Sequence, residues 1–133
     1  MANEAVIIEL YNGGRLIRFT CADNTGIAKG TLLELSGDRT VIANTNDNAP
    51  VVGIAAHEKV ANDGSTTICA YTDGIFDMKS DAGTDVVGTV MANSATENII
   101  QTADGADLLQ GSWIGYYIEA GTSNGVEAVR VNK

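Results

Sequence analysis

Short runs of alternating polar and apolar residues, cut at close intervals by Gly, Asn and Asp, constrain this chain more than any other feature of its sequence. Alternation of period two marks a half-buried strand, whereas a surface helix repeats its apolar residues every ~3.6 positions. Nowhere does the helical period persist for three turns. The best helical stretch, residues 103–110, is interrupted by Gly105, a poor helix former. About nine to eleven short strands separated by turn signals predict an all-β fold, a small single-domain β-barrel or sandwich with little or no helix. The expected organisation is a flexible N-terminal arm over residues 1–5 and one β-barrel domain over residues 6–133, because no turn or cap precedes the apolar run that starts at Val6.

Along the sequence, Val6, Ile7 and Ile8 lead into Asn12-Gly13-Gly14 and then a second strand, so the two strands read as joined by a short connection. In that second strand Ile17, Phe19 and Cys21 share the face expected to meet the core. Ser36-Gly37-Asp38 turns residues 31–35 into residues 39–43 as a hairpin. Residues 66–78 alternate as strand, and Asp73-Gly74 within them fits either a two-residue hairpin or a bulge in one bent strand. Near the end, Trp113 and Tyr117 are placed on one face with Gly115 between them, and Tyr116 on the other. Gly115 would leave room for a ring or a second polypeptide to approach.

The residue types that perform chemistry are scarce. There is one His, His57, and there are two Cys, Cys21 and Cys69, whose spacing is neither that of a metal site nor that of a redox motif. Both cysteines are expected as small buried hydrophobes. The turns at residues 23–26 and 44–48 are rich in oxygen but lack the carboxylate spacing of a calcium loop, and Asn and Asp are what turns require in any case. No catalytic, metal or cofactor-binding set can be nominated, and the protein is expected not to be an enzyme. A net charge of −9 argues against nucleic acid and against an anionic membrane surface, since both need clustered Lys and Arg. Between residues 73 and 107 seven acidic residues face Lys79 alone, which reads as a solvated acidic face. The N-terminus carries no secretory pattern and no stretch approaches the ~18 apolar residues of a membrane span, so synthesis in a cytoplasm is expected. Function is therefore expected at a surface. The candidates are the arm residues Asn3, Glu4, Ala5 and Val6, which could add to a partner's sheet edge, and the aromatic cluster Trp113, Tyr116 and Tyr117.

The order of Gly30-Thr31-Leu32-Leu33-Glu34-Leu35, Thr40-Val41-Ile42-Ala43, Pro50-Val51-Val52-Gly53-Ile54-Ala55, the segment from Thr67 to Phe76, and the closing Ile114-Gly115-Tyr116 with residues 126–131 resembles the phage capsid cement, or head-decoration, proteins. The resemblance spans roughly residues 6–131, and the stretch over residues 91–112 is longer than in the shorter family members. It implies a small β-barrel on the outside of a virion, bound to the major capsid protein, a homotrimer that stabilises the expanded shell and needs no cofactor. The competing expectation is a carbohydrate-binding or adhesin-like β-module with Trp113, Tyr116 and Tyr117 as an open platform. An enzyme would require His57 in a cleft beside a carboxylate and a Ser or Cys.

Overall fold

The structure, a computed structural model, describes residues 3–81, 86–120 and 125–133. Among these, eleven strands and one short helix form two sheets. Strands β2 (Ile17–Thr20), β3 (Leu32–Gly37), β4 (Thr40–Ala43), β5 (Val51–Ala55) and β6 (Thr67–Tyr71) close a barrel in the order β2-β4-β3-β5-β6. The second sheet runs β1 (Val6–Glu9), β7 (Asp73–Ser80), β11 (Val126–Asn132), β10 (Trp113–Tyr117), β8 (Val90–Asn93), β9 (Ile99–Thr102), and a parallel pairing of β7 with β9 closes it on itself. The all-β class expected from alternation is met.

Local chemistry accounts for several elements. β3 and β4 form the expected hairpin, with Leu33 opposite Ala43 and Leu35 opposite Val41. Helix α1 (Gly105–Gln110) occupies most of the one stretch with a helical pattern. The Asp104 side chain accepts from the Ala106 and Asp107 N–H groups at 2.9 and 3.1 Å, and Asp107 accepts from the Asp104 N–H at 2.8 Å, a reciprocal cap that satisfies otherwise orphaned donors. Gly105 is the first residue of the helix, where its low propensity matters least.

The short connection expected between the first two strands is present but joins two different sheets, and the Asp73-Gly74 step turns out differently. β1 and β2 are not neighbours: β1 pairs with β7, and β2 pairs with β6 and, at Thr20, with β4. Asn12–Gly14 is a 3-10 turn through which the backbone passes from one sheet to the other. The Asp73-Gly74 step is neither hairpin nor bulge. β6 and β7 are separated by Thr72 alone, and there the backbone crosses from the barrel into the second sheet. The two crossings are tied together, because the Thr72 N–H donates to the Gly14 carbonyl at 2.8 Å and its hydroxyl donates to the Arg15 carbonyl at 2.6 Å. The Tyr71 ring lies where a side chain on Gly14 would stand. Cys21, just past β2, is buried and Phe19 half-buried as expected, but Ile17 is exposed, because β4 reaches β2 only at Thr20 and leaves Ile17 with β6 alone.

Two cores result. Cys21, Ile27, Leu33, Val41, Ala55, Ile68 and Ala70 form one that draws on the barrel and its flanking loops. The other joins Leu32, Val51 and Ile54 of the barrel strands to Phe76, Met78, Met91, Ile100, Ile114, Tyr117, Val129 and Val131 of the second sheet. Each buried aliphatic side chain contributes about 1.5–3 kcal/mol, so the shared core is a large part of what holds the sheets together. Gly115 lies so close to the Arg130 carbonyl that an added Cβ would collide with it; what approaches Gly115 is the protein's own β11. Gly115→Ala should therefore lower unfolding stability by about 3 kcal/mol, read from the midpoint of urea denaturation.

Candidate interaction surface

The residues suited to chemistry are engaged structurally. His57 accepts the Cys69 N–H at its Nε2 (3.2 Å), and its Nδ1 lies 3.2 Å from the Glu58 carbonyl, so the tautomer with hydrogen on Nδ1 satisfies both contacts. Cys21 is buried, as expected, and Cys69 is half-buried; both are free thiols. Among the described residues no group of three or more His, Cys, Asp or Glu could hold a metal ion.

The two oxygen-rich turns have internal partners. At residues 23–26, buried Lys59 takes the place of a cation: its Nζ donates to the carbonyls of Asp23 (2.9 Å) and Val60 (3.2 Å) and to the Asp63 carboxylate (3.3 Å). The Asp63 carboxyl is held below the usual range, chiefly by the Ser65 N–H and then by Lys59. At residues 44–48 the polarity is reversed. Buried Glu34 accepts from the side-chain amides of Asn44 (2.6 Å) and Asn46 (2.7 Å) and from the N–H groups of Thr45 (3.2 Å) and Asn46 (3.3 Å). Asn93 of β8 then donates to the carbonyls of Asn46 (3.1 Å) and Ala49 (3.2 Å), strapping the barrel loop to the second sheet.

The aromatic cluster does not form a platform. Tyr117 is fully buried in the shared core, Tyr116 is exposed, and Trp113 is half-buried under the Lys133 ammonium, 3.8 Å from its ring centroid. Lys133 also donates to the Trp113 and Gly111 carbonyls at 2.8 and 3.0 Å, and burial pushes its pKa down to about 8. One extra residue on β10 between Trp113 and Gly115, relative to β8, breaks the alternation, so Ile114 and Tyr117 are both buried although three positions apart.

The surface that emerges is the outer face of the second sheet. Cross-strand register sets Val90, Tyr116, Arg130, Ile75 and Glu9 in one row and Ile118, Ala128, Asp77 and Val6 in the next. Val126 lies farther along β11, while Val86 and Val87 stand beside the face, where the Gly88 N–H donates to the Tyr117 carbonyl at 2.8 Å. Val6, Val86, Val87, Val90, Tyr116, Ile118 and Val126 are between 36% and 68% exposed. The guanidinium in the middle is fixed: Arg130 binds the Asp73 carboxylate and lies 4.7 Å from the Tyr11 ring centroid. Arg15 approaches Asp73 at 3.9 Å, and the Arg130 hydrogen bond, more than any other contact, holds the Asp73 carboxyl below its usual range.

The arm residues lead into this face. Asn3 is exposed, whereas Glu4 and Ala5 are half-buried and the Ala5 N–H donates to the Gly30 carbonyl at 2.8 Å. Glu4, Ala5, Val6 and Ile7 line a groove of about 450 Å³ with Lys29. β1 pairs with β7 on one side, and among the described residues no strand pairs with its other side. Of the sequence candidates, Val6 and Tyr116 are brought to one face, with Asn3, Glu4 and Ala5 at its edge; Trp113 and Tyr117 are not. The exposed Val90, Ile118 and Val126 escaped sequence reading because each sits in an ordinary strand-like run.

No protein family and no curated protein matches the sequence. Among solved structures, it is similar to the crystal structure of the head fiber gp8.5 N base in bacteriophage phi29, with a TM-score of 0.54 over 88% of this chain and 94% of that one, at 14% identity. The likeness is one of fold.

Two expectations follow for stability. Tyr117→Ala should cost about 3–5 kcal/mol and Tyr116→Ala no more than about 0.5 kcal/mol, a contrast that thermal melts will read directly. Because the Asp73 pKa is lowered on folding, its contribution is complete above the ordinary carboxylate value and is lost as pH falls through the lowered one. Asp73→Asn should therefore flatten the acid limb of the stability profile, measured by urea unfolding from neutral pH downward.

Proposed function

We propose that this protein is a structural component of a phage virion, a decoration protein that sits on the outside of the capsid and stabilises the expanded shell. The fold likeness to a phage head fiber base, extending over 88% of the chain, is the observation that carries this reading. The exposed apolar face and the free edge of β1 support it, since patches of this kind mark sites of association. The sequence resemblance to head-decoration proteins points the same way.

In this reading the major capsid protein is the partner. Residues 1–5 act as an arm, β1 offers its edge, and Val6, Val90, Tyr116 and Ile118 supply the apolar contact. The protein acts as a homotrimer, needs no cofactor and performs no reaction. A ligand that binds the assembled shell in preference to its separated parts stabilises the shell by mass action, and bridging neighbouring subunits adds interface that must break before the lattice fails.

The test is co-sedimentation with mature capsids of the phage that encodes the protein, with unexpanded precursor shells as control. Saturable pelleting with mature shells alone is the expected result, and pelleting with neither would overturn the reading. Removing residues 1–5 should leave both sheets folded by circular dichroism while weakening pelleting. Val6→Asp and Tyr116→Glu should each weaken it by at least about tenfold, the equivalent of roughly 1.4 kcal/mol. Unchanged pelleting by all three would exclude this face as the contact.

A further inference from the structure

We propose that Asn12 is a site of spontaneous deamidation, a chemical modification placed at the crossing between the two sheets. Succinimide formation needs an Asn carboxamide, a following backbone nitrogen free to attack it, and little steric bulk around both. Asn12 and Gly13 meet these needs together. Both residues are exposed, and apart from its own chain neighbours no atom lies within 4 Å of where a Cβ on Gly13 would stand. Among the described residues, neither the Gly13 N–H nor the Asn12 carboxamide makes a hydrogen bond.

The turn that holds Asn12 is weakly closed. Its bonds are Gly14 N–H to the Tyr11 carbonyl at 2.8 Å and Arg15 N–H to the Asn12 carbonyl at 3.3 Å, the second at the long limit for a hydrogen bond. Asn12 itself sits at φ +50°, a left-handed conformation that residues other than glycine adopt at some cost. Opening such a turn is a local event that leaves both cores intact. Other asparagines are placed differently. Asn44 and Asn93 are fully buried and donate from their side chains, and Asn98 is buried with its side-chain oxygen accepting the Leu32 N–H at 2.8 Å. The other Asn-Gly pair, Asn124-Gly125, lies partly outside the described residues.

The chemistry is self-contained. The Gly13 nitrogen, its proton passed to solvent, forms a bond to Cγ of Asn12, and the bond from Cγ to the carboxamide nitrogen breaks with release of ammonia. Water then opens the five-membered imide. Addition at Cγ gives aspartate; addition at the backbone carbonyl gives isoaspartate, in which the backbone runs through the former side chain. The net change is amide plus water to carboxylate plus ammonium, with no oxidant or cofactor.

Position makes the product consequential. Gly14 and Arg15 are pinned to Thr72, and Tyr11 is held against Arg130, so the methylene that isoaspartate adds to the backbone falls between two anchored points. It would push β1 out of register with β7 and leave the five-stranded barrel untouched. If β1 carries capsid docking as proposed above, ageing of the protein weakens docking, but the chemical assignment stands without that reading.

The experiment incubates the folded protein at mildly alkaline pH beside the same protein unfolded in urea, and follows the tryptic peptide that ends at Arg15 by mass spectrometry with fragmentation that separates aspartate from isoaspartate. That peptide contains Asn3 as well as Asn12 and so carries its own control. Both products should accumulate at position 12 in the folded protein, ahead of Asn3, and Asn12→Gln should abolish them. Asn12 persisting in the folded protein while the unfolded form reacts would show that the turn protects it and would overturn the assignment, as would conversion at Asn3 first.

Discussion

Leu32 and Leu33 are adjacent in sequence, both are fully buried, and they belong to different cores. A strand sends consecutive side chains to opposite faces, so β3 can line the inside of the five-stranded barrel with Leu33 and present Leu32 outward. Val51 and Ile54 of β5 join the same core although three positions apart, because one extra residue on β5 between Val51 and Gly53, relative to β3, breaks its alternation. The second sheet packs its own inward residues onto that outward surface. Neither layer could be removed without exposing the other's apolar side chains, and the polar contacts follow from this arrangement. The Leu32 N–H is received by Asn98, the Asn44 N–H by the Leu32 carbonyl, and the strap from Glu34 through Asn46 to Asn93 runs along the same junction.

That arrangement also explains why an apolar face is left over. The inward side of the second sheet is filled by Phe76, Met78, Met91, Val129 and Val131, and the barrel surface completes its core. Val6, Val90, Tyr116 and Val126 contribute to neither core, yet cross-strand register gathers the first three into adjacent rows on the outer face. Isolated exposed apolar residues are ordinary; several on one face beside an unpaired strand edge are a liability in water unless something covers them. The net charge of −9 opposes indiscriminate aggregation through such a face.

Much of the local structure was legible in the sequence, because it is written in short-range chemistry. Alternation over residues 66–78 correctly marks extended backbone, which β6 and β7 provide on either side of Thr72, and the Ser36-Gly37-Asp38 turn correctly joins β3 to β4. What alternation cannot carry is the identity of the neighbouring strand. It fixes which face a residue occupies, whereas pairing is decided by contacts with residues remote in sequence. Hence the sheet changes at residues 12–15 and at Thr72 were invisible, Ile17 was placed inward although its strand has one neighbour there, and Asp73-Gly74 fitted two readings of which neither holds. The candidate surface was half legible for the same reason. Val6 and Tyr116 could be chosen singly, but only the register through β7 and β11 makes them neighbours, and the irregularity at Trp113 and Gly115 that buries Tyr117 has no signature in the sequence.

The two turns that most resembled ligand loops have a common explanation. Lys59 is an ammonium surrounded by carbonyl and carboxylate oxygens, and Glu34 is a carboxylate surrounded by N–H groups. Burying either charge alone would be strongly unfavourable, and flexible polar loops supply the compensating dipoles. The Asn- and Asp-rich composition is then a consequence of charges placed inside loops, and it fixes those loops in one conformation. The oxygens and N–H groups of these two turns are thus committed to the protein's own buried charges. Among the described residues, the edge of β1 away from β7 and the apolar face beside it have no such internal partner strand or layer.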